Sequence, residues 1–113
     1  MAISGTIALY GVNIPVYMRI EAARVQAYDA EPADVGSKPA RRTVFFQVIV
    51  HQDRATRISD YPGNANRIDV PTIADFSFTY DLDGGNVYAQ AYVWLKAKLA
   101  ADNLATSIAD VTE

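Results

Sequence analysis

At 113 residues, 50% of them hydrophobic and 20% charged, the chain has the length of a single domain and enough apolar side chain to close a core, which excludes a disordered segment. Folding at this length buries roughly two thirds of the unfolded surface. A formal net charge of −3 and the absence of cysteine exclude a global attraction to nucleic acid or an anionic membrane, and with it disulfides, zinc–thiolate centres, iron–sulfur clusters and thiol nucleophiles.

The amino terminus, Met1 to Thr6, has no basic region followed by an apolar run, so no secretory signal is expected there. The longest apolar run falls far short of the roughly 18 residues of a membrane span. We read a water-borne chain, folded where it is made. Thr6 to Tyr10 is a short apolar segment that predicts a first, edge strand, with Gly11, Asn13 and Pro15 marking a turn. From Val16 the apolar positions alternate as Val16, Met18, Ile20 and Ala22. The parity then flips to Ala23, Val25 and Ala27, with Arg24 and Gln26 on the other face. A β-bulge near Ala22-Ala23 produces such a flip; the rival is a short helix, since Glu21 to Arg24 has good helix propensity.

Glu31 to Pro39, with two prolines and a glycine, reads as a loop. Thr43 to His51 is the strongest strand pattern. Val44, Phe46, Val48 and Val50 face one way, with Phe45, Gln47 and Ile49 on the other. An antiparallel sheet normally wets one face, so this strand is expected either to be covered on both sides or to form a subunit contact. The polar, Gly- and Pro-containing stretch of residues 52–71 predicts a long loop with a short helical turn near Arg54 to Ser59; loops of this length are commonly functional or held by a partner. Ile73 to Leu82 reads as a half-buried strand with Ala74, Phe76, Phe78, Tyr80 and Leu82 inward.

A helix is predicted over about 86–102, opened by a capping acid or amide within Asp83 to Asn86. Its stripe is Tyr88, Ala91, Tyr92, Leu95 and Leu99, broadened by Val93 and Trp94. Leu104, Ile108 and Val111 give residues 103–113 a means to dock.

The chemistry-bearing residues are sparse. Asp81-Leu82-Asp83-Gly84 has the opening of a calcium loop, but the twelfth position, where a bidentate Glu belongs, is Tyr92; a strand-to-helix turn explains it better. His51, the only histidine, could pair with Asp53 as acid and base, without an activated nucleophile beside it. Lys38, Arg41 and Arg42, with Arg54, Arg57 and Arg67 further on, could serve single-stranded nucleic acid through charge and stacking. Asp34, Asp53, Asp60 and Asp69 are interspersed among them, which suits a salt-bridged loop or a polar protein–protein rim better. No catalytic, metal-binding or cofactor-binding set emerges. Seven tyrosines and one tryptophan are an aromatic supply suited to interfaces, and Tyr17, Tyr28, Phe45, Tyr61 and Trp94 are the residues we assign to a subunit boundary.

Three stretches together have a recognisable order: Gly11-Val12-Asn13-Ile14-Pro15-Val16-Tyr17, then Val44-Phe45-Phe46-Gln47-Val48-Ile49-Val50, then Asp81 to Asn86 followed by Gln90-Ala91-Tyr92-Val93-Trp94-Leu95-Lys96. In this the chain resembles small accessory virion proteins of tailed bacteriophages, of the kind encoded near tail genes. The resemblance implies a non-enzymatic tail or baseplate subunit, made in the host cytoplasm and carried in the virion. Its partners would be other virion proteins and further copies of itself, with no nucleic acid, membrane or cofactor. Its alternative is a capsid decoration or a host-surface or carbohydrate-binding module using Tyr61 and Trp94. The expected fold is α+β: one domain over 1–113, a small antiparallel sheet of about four to five strands, and one C-terminal amphipathic helix packed on a face.

Overall fold

The computed structural model describes residues 1–36 and 38–112; Ser37, in the expected Glu31–Pro39 loop, and Glu113, at the end of the expected tail, lie outside the described residues. In chain order the elements are β1 (Ala2–Leu9), β2 (Val12–Tyr28), β3 (Arg41–His51), α1 (Arg54–Asp60), β4 (Asp75–Thr79), α2 (Val87–Ala101) and β5 (Thr106–Val111). The strands form one antiparallel sheet in the order β4-β3-β2-β1-β5. The α+β class holds, with two helices instead of one and a strand after the second.

β1 is not the edge strand expected of a short Thr6–Tyr10 segment. It starts at Ala2, and its far side is taken by β5, with Ala2 opposite Val111 and Thr6 opposite Thr106. The docking tail is therefore a strand. Its apolar residues hid this because the register slips between Ser4 and Thr6, and Ser107 sits at φ 52, which displaces them from strict alternation. The β1–β2 connection is two residues, Tyr10 (φ 51) and Gly11 (φ 78), whose left-handed pair matches the twist of a tight hairpin. Asn13 and Pro15 lie inside β2, opposite Ala8 and Thr6. β3 reaches only as far as Tyr17, so β2 has a strand on one side alone at Pro15. The missing proline N–H then costs no ladder bond.

The parity flip in β2 is a bulge. Pairing with β3 slips between Glu21 and Arg24, and Ala22 adopts φ 54. The helix alternative falls.

β2 is 17 residues long and divides the sheet. Its first part pairs with β1 up to Met18, and its second with β3 from Tyr17 to Tyr28. β4 lies on β3 between Thr43 and Gln47, so the second half is a three-stranded arm of β2, β3 and β4. The radius of gyration is 16.0 Å and the extents are 49 × 29 × 25 Å. A compact chain of this length has a radius near 13 Å, and the arm accounts for the difference.

α2 covers one face of the sheet. The Asn86 side chain accepts from the Ala89 N–H at 2.8 Å, and Asn103 at φ 54 follows the last turn, a residue type that tolerates the left-handed exit. Ala91, Tyr92, Leu95 and Leu99 are buried against Ile3, Ile7, Met18, Val48 and Val50 of the same core. The stripe is narrower than expected: Tyr88 is exposed, and Val93 is 65% exposed, since successive helix positions are rotated by about 100°. Trp94 does join the core edge. Its ring lies 5.6 Å from those of Phe76 and Phe78 and 5.9 Å from that of Phe46, all inside the range of productive aromatic contact.

β4 is shorter than the predicted Ile73–Leu82 strand. Ala74 and Leu82 are exposed: Ala74 precedes the first β4 pair, Gln47 with Asp75, and Leu82 lies where the chain has left the sheet for the 81–85 turn. There the Gln90 side chain accepts from Asp81 N–H (3.0 Å) and donates to Asp81 C=O (2.7 Å) and Gly85 C=O (2.9 Å). The Asp81 carboxylate accepts from the Asp83 N–H at 2.9 Å, an Asx-turn. These groups are spent on shaping the strand-to-helix turn.

Candidate functional site

On β3 the alternation of side chains puts Val44, Phe46, Val48 and Val50 under α2, all of them buried. The opposite face differs along its length. At the body end it is covered by α1 and the loop that follows; on the arm it is open.

The covered end is a polar cluster. His51 is completely buried, and its Nε2 lies 3.0 Å from Asp60 Oδ2. A carboxylate can only accept, so Nε2 carries the hydrogen and donates. Asp60 also accepts from the Asn66 backbone N–H (2.7 Å) and side-chain amide (2.6 Å). Burial pushes the Asp60 carboxyl up, but the bonds from the Asn66 backbone, His51 and the Asn66 amide outweigh it and hold the group below the usual carboxylate range. Beside this pair, Arg57 is buried and its Nη2 lies 3.6 Å from Glu21 Oε1. The Asn64 amide donates to Glu21 at 3.3 Å.

The expected His51–Asp53 pair does not form. Asp53 caps α1, accepting from Thr56 N–H at 2.7 Å and Thr56 hydroxyl at 2.8 Å. These two bonds, the backbone one first, hold its carboxyl below the usual range. Asp60 replaces it at His51 because α1 brings its last residue back over the end of β3. Among the described residues, the buried side-chain atoms without a hydrogen-bond partner are Tyr17 Oη, Arg19 Nε, His51 Nδ1, Arg57 Nε and Asn64 Oδ1. Tyr17, Arg19 and His51 stand at strand positions on the sheet face turned away from α2, and Arg57 and Asn64 belong to α1 and the loop after it. The dry face under α2 contains none, whereas the polar face is held by pairs that leave residual donors and acceptors unsatisfied. Surface grooves of about 290, 530 and 220 Å³ lie along β3 and residues 67–75, between α2 and β5, and beside Arg19 and Tyr88; none has His51 in its walls. Among the described residues no group of acids and histidine is arranged to hold a metal, and no helix is long and apolar enough to cross a membrane.

The open end is the arm. Arg24 stands opposite Phe45, and Arg41 opposite Tyr28, in the β2–β3 register. The guanidinium carbon of Arg24 is 5.2 Å from the Phe45 ring centre, and that of Arg41 is 4.6 Å from the Tyr28 ring centre. Two cross-strand cation–π pairs thus line the uncovered face. Beyond Met18, β1 no longer accompanies β2. The Ile20 N–H on that side is taken by the Tyr92 hydroxyl at 3.0 Å, which donates in turn to Met1 C=O at 2.8 Å. From there outward no strand pairs with the outer edge of β2 among the described residues.

The residues assigned to a subunit boundary are thereby dispersed. Tyr28 and Phe45 share the open face of the arm. Tyr61, 69% exposed, follows α1, with Arg57 5.3 Å from its ring centre. Tyr17 is buried beneath α1, and Trp94 is packed among Phe46, Phe76 and Phe78 on the other face. What the sequence reading missed was the edge. Its signal was present in the exposed Val25 and Arg24 just after the bulge, where no β1 residue remains to pair. No protein-family model, curated protein or solved structure matches the chain.

Proposed function

We propose that this protein is a non-enzymatic structural subunit of a tailed-phage particle, in the tail or baseplate, that works by burying its arm against neighbouring virion proteins. The observation that carries the reading is the arm itself. A sheet whose far end is packed on one face only, open along both edges and bearing stacked arginine and aromatic side chains on the uncovered face, is suited to completion by other chains. The order of motifs in the sequence supports the phage assignment. Mass spectrometry of purified particles, combined with labelling on the particle, tests it. A fixed copy number that is a multiple of three or six, at one location, is the expected result; absence from particles rejects it.

The binding-module alternative called for an exposed aromatic platform shared by Tyr61 and Trp94. Those two residues lie over opposite faces of the sheet, so no observation favours it.

A further inference from the structure

The geometry points to a second copy of this chain as the partner of the open β2 edge: residues Arg24–Tyr28 of one copy pair with β4, Asp75–Thr79, of the next. The inference deepens the proposed subunit role and names the interface through which copies join.

β4 is the outermost strand on one side of the arm, and β2 beyond the bulge is the outermost on the other. Each presents unpaired amide and carbonyl groups, which template a further strand. The two are matched in length: β4 has 5 residues, as many as the run from Arg24 to the end of β2 at Tyr28. In the antiparallel order of the sheet, β2 and β4 of one copy run in the same direction. Copies that continue the sheet in one sense therefore meet through a parallel pair.

Side chains then select the register. Arg24 pairs across from Phe45 and Asp75 from Gln47, so both lie on the face away from α2. Placing Arg24 beside Asp75 shifts the register by two residues from the level of Ser77, which leaves every side chain on its own face. It sets Gln26 near Ser77 and Tyr28 near Thr79 on that face. On the α2 face it brings Val25, 41% exposed, and Ala27 alongside Phe76 and Phe78, extending the Trp94 cluster across the junction. Without the shift Asp75 would stand at the level of Glu21, like against like. A two-fold β2–β2 pairing over the same residues lacks this match, since it sets Arg24 opposite Tyr28 and offers it no acid. The contact is heterologous, so it propagates into a ring or an open chain.

The test is sedimentation velocity of the purified full chain, its R24D and D75R variants, their equimolar mixture and the R24D/D75R double variant, with circular dichroism confirming each fold. Both positions are exposed, so the fold is expected to persist. The wild type should assemble beyond a dimer, and each single variant should lose about tenfold or more in association constant as an attractive pair becomes a repulsive one. The mixture and the double variant should both recover, because each restores one acid against one arginine. Recovery also separates the edge contact from the loss of Arg24 stacking on Phe45. A strictly monomeric wild type, or assembly unchanged in both single variants, overturns the inference. Particle mass spectrometry keeps the two proposals apart. Chain present in particles but monomeric in solution rejects the edge pairing alone, while assembly in solution with no chain in particles rejects the phage role alone.

Discussion

The two faces of β3 solve the same problem by opposite means. On the α2 side, Val44, Phe46, Val48 and Val50 are packed against leucines, an alanine and a ring of aromatics, and no polar atom is stranded. On the α1 side, burial is achieved by pairing His51 with Asp60 and Arg57 with Glu21, and every unpartnered buried side-chain atom among the described residues is found there. Dispersion and the hydrophobic effect ask only for shape and volume. A polar interior asks for each donor and acceptor to be met, and here it is met in part. The lesson is that stability resides under α2, whereas the α1 face fixes where the loop after β3 must lie.

That division can be broken experimentally. The largest effect is expected from Phe46→Ala, which empties the centre of the aromatic group on the dry face. It should cost about 3–5 kcal/mol in urea denaturation, with the folded baseline of α2 lost in parallel. Tyr92→Phe removes the hydroxyl that joins Ile20 N–H to Met1 C=O and leaves both without that partner; a loss of about 1–3 kcal/mol is expected by the same measurement. Asn86→Ala should cost about 1 kcal/mol through the lost cap of α2.

The polar face is sharpened by acid. Asp60 is held below its ordinary value, so more protons bind the unfolded chain than the folded one as pH falls through the range near 4. Its contribution is complete above that range and disappears as pH drops through the lowered folded value. Denaturation midpoints between pH 6 and pH 2.5 should therefore fall more steeply for the wild type than for Asp60→Asn; parallel curves would remove Asp60 from the account. The smallest effect concerns the bulge. Ala22→Gly relieves a left-handed alanine at φ 54 and should stabilise by no more than about 1 kcal/mol, since the added freedom of the unfolded chain offsets part of the relief.

Much of this was legible in the sequence, and the reasons are specific. The alternation in Thr43 to His51 and the parity flip at Ala22-Ala23 report backbone geometry directly, because one residue of offset moves every side chain to the other face. The helix over 86–102 was visible in its cap and its buried stripe. The strand at the end was not, because β5 is defined by its hydrogen bonds to β1, about a hundred positions away, and a bulge scrambles its pattern. The His51 partner was misread for a similar reason. Asp53 is near His51 in sequence, but only the turn of α1 decides that Asp60 arrives at the ring. Val93 shows the limit of composition: it is as apolar as its neighbours and points away from all of them.

The pairing of Ala2 with Val111 and of Thr6 with Thr106 also sets a timetable. β1 emerges ahead of the other strands and forms its hairpin with β2 early, but its other edge waits until about a hundred further residues have been made. Contacts of such long sequence separation slow the search for the native state. During that interval β1 behaves as an exposed strand edge, open to pairing with the wrong chain. Shortening the chain before Thr106 makes that interval permanent and removes Ile108 from the edge of the core, so such truncations should accumulate as aggregate.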